Sequence, residues 1–144
     1  ETLKTEIEDD EEYAEGIFET IREPFVVVSS SLNILKANSR FYETFKITPE
    51  LALGSLIYDI DNRQWDIPEI RLLFEEILLT QSVCKDYEVD LVFQNVGRKI
   101  ILINARSTFR KQTGSEIILL AIEDITERRM TEEFIINGPV NLIV

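Results

Sequence analysis

The sequence predicts an α+β domain: a five-stranded antiparallel sheet with helices on one face and a flanking helix at each end. Three observations lead to it. Two short segments rich in β-branched residues precede a block of helical patterns, and three longer strand patterns follow that block. Strands and helices therefore come in runs, which argues against parallel βαβ units. The last strand also runs without a linker into a helix start at Asp124-Ile125-Thr126.

From Glu11 to Arg22, the residues Tyr13, Ile17, Phe18 and Ile21 recur at helical spacing, and Glu12, Glu15 and Glu19 fall elsewhere on the helix. Glu23-Pro24 closes this helix, because the residue before proline is pushed out of the α region. Phe25-Val26-Val27-Val28 reads as a strand, Ser29 to Ser31 as a turn, and Asn33 to Ala37 as the partner strand. Asn38 is a good N-cap for a helix carrying Phe41, Tyr42 and Phe45. Thr48-Pro49-Glu50 begins a short helix or turn that ends near Gly54, and Ser55 to Arg63 carries mixed signals.

Trp65-Asp66-Ile67-Pro68-Glu69 predicts a helix start, with Asp66 as N-cap, Glu69 as its capping-box partner and Pro68 in the first turn. Ile70, Leu73, Phe74, Ile77 and Leu78 then form one apolar face, with Arg71 and Glu75 paired outside it. Tyr87, Val89, Leu91 and Phe93 alternate with polar residues, as in a strand with one wet face. Asn95-Val96-Gly97 turns into the strand Arg98 to Arg110, whose run Ile100 to Ile103 is apolar on both faces, so some element should cover the outer face. Lys111 to Ser115 turns into the final strand around Ile117 to Ile122. Asp124, three residues before Glu127, has capping-box spacing, and Thr126 is the alternative cap. Met130, Phe134 and Ile135 extend a helical stripe that resembles the start of a coiled coil, and Asn137-Gly138-Pro139 is expected to stop it. The apolar Val140 to Val144 has no reading.

At 144 residues, with 44% hydrophobic and 29% charged residues, the composition is that of an ordinary globular domain with extensions. No apolar stretch approaches a membrane span, and no segment reads as a signal peptide. The single Cys84 excludes an internal disulfide and a cysteine zinc cluster, which leads us to expect a cytoplasmic domain, whether or not its parent protein is membrane-anchored. The net charge is −12; residues 1–23 hold ten acids and two bases, a net of −8, leaving −4 for the rest. The expected division is an acidic helical extension over 1–23, the domain proper over 24–126 and a C-terminal helix or linker over 127–144. No basic stripe exists to neutralise phosphates, so nucleic acid is not an expected partner.

This order of elements resembles that of PAS domains over roughly Ile17 to Arg129. The resemblance rests on Phe25-Val26-Val27-Val28, on Ala37-Asn38 followed by Phe41 and Phe45, and above all on Asp124-Ile125-Thr126-Glu127-Arg128-Arg129, which is similar to the Asp-x-Thr signal-transfer motif that closes many PAS domains. Gln64-Trp65-Asp66-Ile67-Pro68 and Asn104-Ala105-Arg106 resemble a subgroup found in sensor histidine kinases and in chemotaxis-type methyltransferase fusions. The resemblance implies a dimeric sensory module that perceives a ligand or cofactor between sheet and helices. It would pass the signal through the last strand into a helix joined to an output domain of the same polypeptide.

The chain contains no histidine. That disfavours the usual axial ligand of haem sensors and removes Ser-His-Asp and Cys-His catalysis, histidine zinc sites and a phosphoacceptor histidine. Cys84 does not stand in the helix where the light-sensing PAS subgroup keeps its adduct-forming cysteine, so a cysteinyl-flavin is disfavoured too, and the identity of any cofactor is unknown. No glycine-rich phosphate loop occurs. No catalysis by this domain is expected; buried paired carboxylates would favour an enzyme instead.

Trp65, Asn104 and Arg106 are the ligand-binding candidates. Asn104 and Arg106 are two apart and share a strand face, and an arginine there suits an anionic or amide-bearing ligand. Alternatively, Arg106 faces solvent or a partner subunit and Trp65 fills the core. Asp124 and Thr126 are the signal-transfer candidates, because they would fix the angle at which the helix leaves the sheet. A PAS domain with a filled core and no ligand, serving as a dimerisation scaffold, is the rival reading.

Overall fold

The computed structural model describes residues 12–111 and 113–143, with side chains through 136. The acidic stretch 1–11 and Val144 lie outside the described residues. Helix α1 spans 12–20, two residues short of the expected Arg22. Strands β1 (Phe25–Ser29) and β2 (Ile34–Ala37) lead into helices α2 (Ser39–Phe45) and α3 (Pro49–Ala52). Helix α4 (Pro68–Thr80) precedes strands β3 (Val83–Phe93), β4 (Gly97–Phe109) and β5 (Glu116–Asp124), and helix α5 (Thr126–Ile143) completes the chain. The five strands form one sheet in the order β2-β1-β5-β4-β3, every pair antiparallel. The last strand therefore lies at the centre and the long third strand at an edge.

One sheet face makes the core. Val26, Val28, Ile101, Ile103, Ile118, Leu120 and Ile122 point inward and meet Phe41, Phe45, Trp65, Ile70, Phe74 and Ile77. An aromatic group fills the space between sheet and helices: Trp65 lies 5.3 Å by ring centroid from both Phe45 and Phe93, and Phe41 lies 5.2 Å from Phe45. Each such side chain, fully buried, contributes roughly 1.5–3 kcal/mol.

The outer face is covered in part, by two different helices. Phe18 of α1 meets Phe25 edge to face at 5.4 Å, and Lys36 lies over the Phe18 ring at 4.7 Å. Near the other end, Ile100 is buried beside Ile125 at the head of α5. This answers the two-sided apolar run in β4: alternate residues serve the core and the α5 junction.

Asn38 is the sole buried polar residue among those described. Its Oδ1 accepts from the N–H of Phe41 at 3.1 Å, the expected cap, and also from the N–H of Phe25 at 2.9 Å. Its Nδ2 donates to the carbonyls of Glu23 and Ile21 at 3.0 and 3.3 Å. One side chain thus ties the end of α1, the start of β1 and α2 together.

Three local expectations are corrected. Asp66 does not cap α4; Ile67 occupies the cap position with no side-chain bond. The Asp66 carboxylate is taken by Arg63 at 2.6 Å and Arg71 at 2.5 Å, bonds in which both partners are charged, and this also draws Arg71 away from Glu75. Helix α5 does not stop at Asn137-Gly138-Pro139 but continues to Ile143, since a ladder nucleated at Thr126 loses one N–H at the proline and propagates past it. The mixed segment resolves into a bridge between Asn33 and Leu56 and a tight turn, Asp61–Arg63, whose residues all have positive φ (54°, 54° and 60°).

Candidate functional site

The junction between β5 and α5 is built from three segments. Asp124 ends β5, Thr126 begins α5, and Lys99-Ile100 comes from β4, whose Ile101 pairs with Asp124. The N–H of Ile100 donates to Thr126 Oγ1 at 2.9 Å, and that hydroxyl donates to Asp124 Oδ1 at 2.5 Å. The N–H of Thr126 donates to the same Oδ1 at 3.0 Å, and Lys99 Nζ donates to Oδ2 at 2.8 Å. The N–H of Ile125 closes the group by donating to the carbonyl of Ile100 at 2.9 Å. Burial works to raise the Asp124 carboxyl, but the Lys99 ammonium and the Thr126 hydroxyl and N–H outweigh it and hold the group below its ordinary value.

This differs from a simple helix cap. Asp124 satisfies the first helical N–H, while Thr126 turns its hydroxyl back to the sheet and serves β4 instead of its own helix. One turn further on, Arg129 bonds Glu88 of β3 at 2.6 Å, so the helix is held to two strands besides the one it follows. Lys99, Ile100 and Glu88 are parts of this junction that sequence reasoning missed, since only strand register brings them alongside.

Trp65, Asn104 and Arg106 do not converge. Trp65 is 1% exposed within the aromatic core, and its Nε1 has no hydrogen-bond partner. Asn104 and Arg106 lie on the opposite, outer face of the sheet. There they line a groove of about 360 Å3 floored by Phe25, Leu119 and Ala121, with Lys85 on the rim. Asn104 Oδ1 accepts from the N–H of Asp86 at 3.0 Å, which spends its acceptor. Lys85 and Arg106 make no ion pair among the described residues. The groove therefore offers donors and positive charge over an apolar floor. On the core side of the same strands, burial pushes the half-buried Cys84 thiol up, and Glu76 adds to the effect, the reverse of what a reactive thiolate needs. Among the described residues no three His, Cys, Asp or Glu side chains gather as a metal site requires.

No protein-family model and no curated protein matches the chain. Solved structures do. It is similar to the PAS domain of an HTR-like protein from Haloarcula marismortui, at a TM-score of 0.64 and 15% identity over 86% of this chain and 98% of that one. The PAS domain of BvgS from Bordetella pertussis aligns at a TM-score of 0.63 and 18% identity, over 92% and 98% of the two chains. A PAS domain from a protein of Colwellia psychrerythraea aligns at a TM-score of 0.65 and 14% identity, over 81% and 97%.

Proposed function

We propose that this chain, whose fold is that of the PAS domains, is a sensory module of a larger signal-transduction protein and relays conformational input from sheet to helix. The observation that carries the reading is the bond relay Ile100 to Thr126 to Asp124, with Lys99 on the second carboxylate oxygen. Any slide of β4 against β5 must break or move these bonds, and α5 starts on them. The Thr126 hydroxyl is engaged on both sides, by the N–H of Ile100 and by the Asp124 carboxylate, so the reading gives it a structural part in a relay. A sensor histidine kinase is the parent that best fits the reading, with a chemotaxis-type methyltransferase as the alternative. The domain division at residues 23 and 126 follows the same logic, since α5 is the output element.

The reading includes a homodimer. Tyr13 and Ile17 of α1 are 74% and 52% exposed beside Glu12, and Phe134, Ile135 and Ile136 are exposed on α5. An acidic, apolar α1 complements the basic, apolar groove at Lys85 and Arg106, and both lie on one sheet face, as a two-fold interface needs. A second reading, a dimerisation scaffold without ligand, draws support from the aromatic packing around Trp65. Native mass spectrometry separates the two, since it weighs both the dimer and any retained small molecule. The relay itself is tested by changing Asp124 and Thr126 together to Ala in the parent protein: output that no longer follows stimulus supports it, and a normal response contradicts it.

A further inference from the structure

Helix α4 turns a second, unexplained stripe away from the core. Leu72, Glu75, Glu76 and Leu79 follow one another at the three- and four-residue spacing of a single helix face. Leu72 is 62% and Leu79 84% exposed, the latter the most exposed large hydrophobic residue among those described. The stripe forms one wall of a groove of about 440 Å3, and Cys84 and Tyr87 of β3 form the other. Tyr87 is fixed there by its hydroxyl, which donates to the carbonyl of Glu69 at 2.9 Å. Glu69, Glu75 and Glu76 make no ion pair among the described residues, because Arg71 is held by Asp66.

We propose that this groove docks a basic amphipathic helix of a partner protein. Two leucines seven apart are an anchor pair for a helix lying alongside, and the carboxylates between them call for Lys or Arg at the centre of the occupant. The same charges disfavour an anionic lipid surface or a nucleic acid. Strand addition to the free edge of β3 does not fit either. Pairing with β4 is irregular between Cys84 and Tyr87, and Asp86 there has a φ of 53°, so the edge is bent where a flat strand would have to register. The proposal is independent of the α5 junction, which lies on the other face of the sheet.

The test is an amide NMR titration of the isotope-labelled chain with a synthetic helical peptide of about four turns, ~14 residues. The peptide carries Leu at two positions seven apart and Arg at the two positions between them that meet Glu75 and Glu76; a control peptide carries Glu there. Saturable shifts confined to α4 and to Cys84–Tyr87 support the proposal, provided binding weakens about tenfold or more in a Leu72→Ser, Leu79→Ser double variant. Glu75→Lys with Glu76→Lys should reverse the preference toward the acidic control. Absence of saturable shifts, equal binding of both peptides, or unchanged affinity in the variants overturns it. Concentration-dependent shifts of the same amides without peptide would place a second copy in the groove and also overturn it.

Discussion

Ile100 and Thr126 stand 26 positions apart, yet the backbone N–H of one donates to the side-chain hydroxyl of the other at 2.9 Å. A residue of the last helix thereby completes the hydrogen bonding of a strand. Thr126→Val keeps the shape and removes the acceptor, leaving a part-buried N–H without a partner. The expected cost is about 1–2 kcal/mol in chemical denaturation, and Thr126→Ser should recover most of it.

Acid should weaken the same junction. The Asp124 carboxyl is depressed below its ordinary 3.8 in the folded chain. Its contribution is therefore complete above that value and is lost as pH falls through the folded one. Asp66 and Asp90 shift the same way through their arginine partners. The decisive comparison is the difference between wild type and Asp124→Asn, which should be largest near neutrality and shrink below about pH 4.

Asp61 has the opposite sign. Burial raises its carboxyl, with only the Gln94 backbone to relieve it, and neither oxygen makes a hydrogen bond of normal geometry. The ionised native state is penalised as pH rises from 3.8 through the raised folded value. Asp61→Asn removes the charge and keeps a residue tolerant of positive φ. It should stabilise the chain by about 1 kcal/mol at neutral pH and by less in acid, measured as denaturation midpoints at both pH values.

Asn38→Ala orphans the N–H of Phe25 and the carbonyls of Ile21 and Glu23 at once, and leaves the N–H of Phe41 only its bond to the backbone carbonyl of residue 38. A loss of about 3 kcal/mol or more is expected. Asn38→Asp should also destabilise, because it would set a carboxylate oxygen against two carbonyls. A neutral result for either variant in thermal unfolding would remove Asn38 from its place between α1, β1 and α2.

Trp65 tests how full the core is. Its indole N–H makes no bond, so Trp65→Phe loses packing alone, whereas Trp65→Ala should cost about 3–5 kcal/mol. Calorimetry of the two variants should separate them clearly.

Element order, the pairing of strands joined by a turn and the Asn38 cap were legible because each rests on local pattern: β-branched runs, period-two alternation and a polar residue before a helical stripe; the pairing of β1 with β5 was not, because its partners lie about ninety residues apart. The face on which Asn104 and Arg106 lie was not. The run Ile100 to Ile103 is apolar at every position, so alternation carries no sign of which residues meet the core and which meet α5. The parting of Trp65 from Arg106 follows from that ambiguity. The Asp66 cap failed because Arg63, placed by an unusual left-handed turn, competes for the carboxylate. The strand-to-helix boundary at Asp124 and Thr126 was legible from capping spacing, while the partners Lys99 and Ile100 emerge only once β4 pairs with β5.

The head of α5 is bonded to the sheet through Thr126 and Asp124, and loosening those bonds should free the helix from β4. Hydrogen–deuterium exchange of the Thr126→Val, Asp124→Ala double variant measures this directly. Faster exchange is expected at Ile100 and through the first turns of α5, with β1 and β2 unchanged. Exchange in α5 identical to wild type would contradict it.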